Sequence, residues 1–142
     1  VPTTDEALAT LTRIWNSRNL DYEAKLSVRH DWAGLEIFAP GSDERVVVYS
    51  PGDRWVTLQA PDGLAANYFE EGMSEEDLTM RLERYVDAAI AYLEGRFDVR
   101  RSRRLRIPHL VIETKTGPVR LDFRLKVLVR AVVTGGRSNP FH

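Results

Sequence analysis

The sequence predicts an α+β fold in which an antiparallel sheet, built from a meander and a C-terminal hairpin, is packed by one long helix and by a shorter N-terminal helix. Three observations predict it. Between Ser74 and Leu93, the residues Leu78, Leu82, Tyr85, Val86, Ala89 and Leu93 recur at three- and four-residue steps, while Glu76, Thr79, Glu83 and Asp87 take the other side, as in an amphipathic helix. Ahead of it, short runs of period two are separated by turns rich in Gly, Pro and Asp, which is the pattern of a meander. Behind it, HLVIE and VRLDFRLKVLVRAVV flank the turn TKTGP and make a hairpin.

Each element has its own signal. Thr4 to Asn19 carries Leu8, Leu11 and Trp15 on one face with Ala7 and Ile14, and Thr4 as cap with Asp5 and Glu6 in the first turn predicts the N-terminal helix. From Tyr22, the alternation of Tyr22, Ala24, Leu26 and Val28 with charged and polar residues predicts a half-buried strand. After a turn around Asp31 to Gly34, LEIFAP from Leu35 is the second strand, GSDE a turn, VVVYS the third strand, PGDR a turn and WVTLQA the fourth strand. PDG at 61 to 63 turns the chain into a short fifth strand, LAANYFEE. Ser74 is the expected N-cap of the long helix, Asp77 suits its first turn, and Gly95 stands where a left-handed residue ends it. In the last run, Val119, Leu121, Phe123, Leu125, Val127, Val129, Ala131 and Val133 share one side, which predicts a strand longer than is usual.

The 142 residues suit one domain with one core, with about the last eight expected as a flexible tail. At 43% hydrophobic and 29% charged the composition is that of a globular protein. No apolar run approaches a membrane span, and VPTTDEAL lacks the basic start and apolar middle of a signal peptide, so the expected location is cytoplasmic, with no membrane partner. The absence of Cys excludes disulfides and thiol chemistry. Charge is distributed unevenly: residues 1 to 95 hold 8 Lys and Arg against 18 Asp and Glu, whereas residues 96 to 142 hold 12 against 3.

Catalytic patterns are sparse. His30 and Asp31 adjoin, but neighbours in a strand point to opposite faces and do not meet unless the chain turns there. His109 has no acidic partner nearby in sequence, the metal-binding spacings of His are absent, and no phosphate-binding Gly pattern occurs. The expectation is a non-enzymatic protein with no cofactor and no metal. Arg96, Arg100, Arg101, Arg103, Arg104 and Arg106 form a basic run that would suit a polyanion. A recognition helix and a stacking motif are missing, so nucleic acid is not the expected partner; ion pairs with the acids of the amino-terminal part or of a neighbouring copy are.

Aromatic residues on and beside the strands, Trp32, Tyr49, Trp55, Tyr68 and Phe69, are the usual filling of a small core and equally the usual anchors of an interface. Where Tyr68 and Phe69 run into Glu70 and Glu71, an aromatic centre meets an acidic rim, the combination that covers a basic cleft. The expected partner-binding surface is therefore Trp55, Tyr68 and Phe69 as apolar contacts, with Glu70, Glu71, Glu75 and Glu76 as its anionic part.

The succession GDRWVTL, NYFEEG, MSEEDLTMRLERYVDAAIAYL and VRRSRRLRIP, over roughly residues 55–108, resembles the bacterial polymorphic-toxin immunity proteins, in particular the actinobacterial family numbered sixty-one. The resemblance is one of layout and supplies no functional residue to carry over. It implies a small cytoplasmic α+β protein that binds and blocks a cognate toxin of basic surface, without cofactor or catalysis. The other expectation is a small secretion chaperone or regulatory domain acting as a homodimer, through a sheet edge or through the contrast between its acidic and basic parts.

Overall fold

A computed structural model describes residues 1–104 and 106–123. Helix α1 (Thr4–Arg18) leads into strands β1 (Glu23–Arg29), β2 (Trp32–Phe38), β3 (Arg45–Ser50), β4 (Trp55–Gln59) and β5 (Leu64–Phe69). Helix α2 (Glu75–Leu93) follows, then β6 (Asp98–Arg101), β7 (Pro108–Thr114) and β8 (Gly117–Phe123). The strands form one antiparallel sheet in the order β1-β2-β3-β4-β5-β8-β7-β6, so the meander and the C-terminal hairpin join where β8 pairs with β5. The predicted α+β architecture is the one observed. The residues from Leu125 to Val133 that extend the last strand pattern, and the expected tail, lie outside the described residues.

Local chemistry accounts for the boundaries. The cap of α1 is Thr3 rather than the expected Thr4: the Glu6 amide donates to Thr3 Oγ1 at 3.2 Å. Thr4 Oγ1 lies instead 3.1 Å from the Asp31 carbonyl and 2.9 Å from the Pro51 carbonyl, tying the start of α1 to two turns of the sheet. Strand β2 begins at Trp32, three residues before the expected Leu35, because His30 takes a left-handed φ of 53° and the β1–β2 hairpin closes over His30 and Asp31 alone. In α2 the Ser74 cap is as expected, its Oγ accepting from the Asp77 amide at 3.1 Å, and Gly95 has the left-handed φ of 75° that ends the helix run. Strand β6 has no counterpart in the predicted elements; its four residues DVRR are all exposed and hold their place by pairing with β7.

Strand alternation divides the sheet into two faces. Ala33, Leu35, Ile37, Val46, Val48, Val56, Leu58, Leu110, Ile112, Val119 and Leu121 are buried on one of them. Against this face α1 lays Ala7, Leu11 and Ile14 and α2 lays Leu78, Leu82, Tyr85, Val86 and Ala89, the two helices lying side by side. Arg84 fastens α2 to the β7–β8 turn, with Nε donating to Thr116 Oγ1 at 3.0 Å and Nη2 to the Thr116 carbonyl at 2.6 Å. Neither helix covers the other face. Among the described residues no helix is long and apolar enough to cross a membrane.

Candidate functional site

The face away from the helices carries an aromatic row. Trp32 lies beside Tyr49 with ring centroids 5.0 Å apart, and Tyr49 meets Trp55 edge to face at 5.4 Å. Phe69 stands directly opposite Trp55 in the β4–β5 pairing and is 70% exposed. With Thr57, Asn67 and the adjoining Tyr68, these rings border a shallow groove of about 470 Å³. Among the described residues, none of those bordering it is charged. A polar pair lies in it, Thr57 Oγ1 donating to Asn67 Oδ1 at 2.8 Å.

Small residues set these rings. Trp32 lies over Gly34, where an added Cβ would come within 2.8 Å of Cζ3, so glycine lets the indole lie along the sheet next to Tyr49. Trp55 is placed by the β3–β4 turn, in which the fully buried Ser50 hydroxyl donates to the Trp55 carbonyl and accepts from the Gly52 amide at 3.0 Å. Gly52 has a φ of 115°, and a Cβ there would fall 2.6 Å from the Thr3 carbonyl oxygen. Only glycine fits.

Tyr68 borders the groove but turns most of its side chain to the opposite face. Its register partner is Val56, a core residue, so its side chain leaves by the helix-covered side while its neighbour Phe69 leaves by the other. Its hydroxyl donates to Glu70 Oε1 at 3.0 Å, and the Arg81 guanidinium sits 3.6 Å from its ring centroid. Trp55, Tyr68 and Phe69 of the expected grouping all border the groove, and Trp32 and Tyr49, which the grouping left out, border it with them. Arg81 and Arg84 also act on Tyr85, whose hydroxyl is pushed up by burial and partly held back by those two cations.

The predicted acids flank the aromatic end of the sheet. Glu70 and Glu71 follow Phe69 in the β5–α2 loop, and Glu75 and Glu76 open α2. The loop is docked on the β3–β4 turn, the Glu70 amide donating to the Arg54 carbonyl at 2.8 Å and the Met73 amide to the Asp53 carbonyl at 2.9 Å, with Met73 fully buried. Both helices start at this end and both have acidic first turns. Asp5, Glu6, Asp31, Asp53, Glu70, Glu71, Glu75, Glu76 and Asp77 therefore gather there, outnumbering the cations of the same end, Arg29, Arg54, Arg81, Arg84 and Lys115, of which Arg54 is engaged by Asp53 at 3.4 Å and Arg81 by the Tyr68 ring. The sequence reading missed Met73, whose signal was a single apolar residue inside GMSEED.

The arginine run lies away from these acids, before, on and after the edge strand β6. Its ion pairs are local, Arg96 to Glu94 at 2.8 Å and Arg100 to Asp98 at 3.9 Å, and Arg101 donates to the Arg106 carbonyl at 3.1 Å. Glu94 belongs to the acidic amino-terminal part, so one pair of the expected kind forms, between residues two apart in sequence. His30 sits in the β1–β2 turn and His109 near the start of β7, so the sheet separates them. Among the described residues no three His, Asp or Glu side chains are grouped to hold a metal ion. Comparison with protein-family models, with curated proteins and with solved structures finds no match to this chain.

Proposed function

We propose that this chain is a non-enzymatic protein-binding domain of the immunity or inhibitor kind, acting in the cytoplasm, and that it neutralises a cognate toxin by occluding a basic surface. One observation carries the reading: a neutral aromatic groove lies at the end of the sheet where both helix starts and three connecting loops concentrate carboxylates. Charge of one sign accelerates encounter with a basic partner, and desolvated aromatic side chains slow its departure. Trp55 and Phe69, joined by Trp32 and Tyr49, are the apolar contacts; Glu70, Glu71, Glu75 and Glu76 are the anionic ones. No cofactor enters this mechanism.

Homodimerisation through a sheet edge has less support. Both sheet edges are charged, with Lys25 and Arg29 on β1 and Arg100 and Arg101 on the four-residue β6, and charged edges oppose strand pairing between copies. The test is size-exclusion chromatography with light scattering, on the chain alone and mixed with the product of the gene immediately upstream, at about 50 mM and 500 mM salt, a range over which exposed charges pass from long-range action to screening. The expected result is a monomer that forms a salt-sensitive complex. A dimer indifferent to that product at both salt concentrations would overturn the proposal.

A further inference from the structure

We infer that the groove between Trp32, Tyr49, Trp55 and Phe69 is the seat of an arginine side chain presented by the basic partner, an assignment that rests on reading this face as the contact surface. The occupant follows from charge complementarity. A cation approaching this end of the sheet is drawn by the carboxylates of the first turns and loops, yet among the described residues none that borders the groove carries a charge, so what it meets inside is ring faces and edges. Trp and Tyr faces attract cations, and the planar, weakly hydrated guanidinium loses less than an ammonium on leaving water. Oδ1 of the exposed Asn67, oriented by the Thr57 hydroxyl that donates to it at 2.8 Å, keeps a second lone pair as acceptor for the guanidinium N–H groups, which an apolar occupant would leave unused. The same pairing already exists elsewhere in the molecule, where Arg81 covers Tyr68 at 3.6 Å.

The test titrates the isotope-labelled full chain with a blocked five-residue peptide carrying two arginines, and with its lysine and citrulline counterparts, reading the indole N–H resonances. The arginine peptide is expected to shift Trp32 and Trp55 while leaving Trp15, on α1, in place. It is expected to bind about fivefold more tightly than the lysine peptide, the ratio that an exposed cation–π contact supports, and the citrulline peptide, which has the shape without the charge, is expected not to bind. Phe69→Ala, at an exposed position that leaves the core intact, should weaken the arginine peptide and reduce the preference for arginine. Equal affinity for arginine and lysine, with shifts confined to residues 70–77, would overturn the inference by showing that the carboxylates act alone. So would indole shifts that arise from raising the concentration of the chain itself, since a second copy would then be the occupant. A toxin complex indifferent to Phe69→Ala sinks the groove assignment and leaves the functional proposal standing, whereas peptide binding without any toxin complex does the reverse.

Discussion

Phe69 and Tyr68 are neighbours in the chain and occupy different environments, and their substitutions should separate accordingly. Phe69→Ser removes an exposed ring at the groove, so affinity for the proposed partner should fall by about tenfold or more, as for an interface anchor, with thermal stability unchanged. Tyr68→Phe removes the hydroxyl bond to Glu70 and should cost about 1 kcal/mol in urea unfolding, with partner affinity nearly unchanged. The reverse pattern would place the contact surface on the helix side. Tyr92 bears on pH. Burial first, and then the nearby Glu44 and Asp62 carboxylates, push its hydroxyl up from the usual 10.0 to about 12. A folded-state value above the unfolded one stabilises the fold fully below about pH 10 and loses that contribution as pH rises toward 12. Tyr92→Phe should therefore flatten the fall in stability between those two values in a pH series of denaturant midpoints, and leave the neutral range unaffected.

At the scale of elements, the caps and turns that position the site are also where stability is concentrated. Ser74→Ala removes the hydroxyl that accepts the Asp77 amide and should cost about 1 kcal/mol, lowering the urea midpoint without changing the slope. Gly52→Ala should cost on the order of 2 kcal/mol or more, since it combines a strained positive φ with a clash against the Thr3 carbonyl. Because that turn also carries Trp55, the variant should disturb the Trp55 indole resonance as well as the melting temperature. A melting temperature within a degree of the parent would show that the turn yields more easily than its geometry indicates. Leu82, fully buried on α2, is the core control: Leu82→Ala should cost about 2–5 kcal/mol and affect partner binding only through the folded fraction.

At the scale of the whole molecule, the chain is polar in charge, with acids gathered at the end where both helices begin and arginines on and around the far edge strand. This arrangement governs rates of encounter more than fold stability. Replacing Glu70, Glu71, Glu75 and Glu76 together by Gln should slow association with a basic partner by on the order of tenfold at low salt and flatten its salt dependence, while dissociation changes little. An unchanged association rate in stopped-flow mixing would assign the recognition to the aromatic rings alone.

Much of this was legible in the sequence because it depends on neighbours along the chain. Periodicity placed α2 and its cap, the turn residues separated the strands of the meander, and the apolar alternation about TKTGP marked the C-terminal hairpin. The acidic loop before α2 was equally plain. Other features were settled only by the tertiary structure. The four exposed residues of β6 become a strand only through pairing with β7. A left-handed His30 shifts the start of β2 to Trp32, and the side to which Tyr68 or Phe69 turns depends on a register set by partners more than ten residues away in sequence. Trp32, Tyr49 and Trp55 come from three strands, so no local pattern joins them. The sequence alone determined which elements form and where charge accumulates, since propensity and capping act over a few residues. The folded sheet alone decided which aromatic rings share a face, because that depends on the parity of cross-strand pairing.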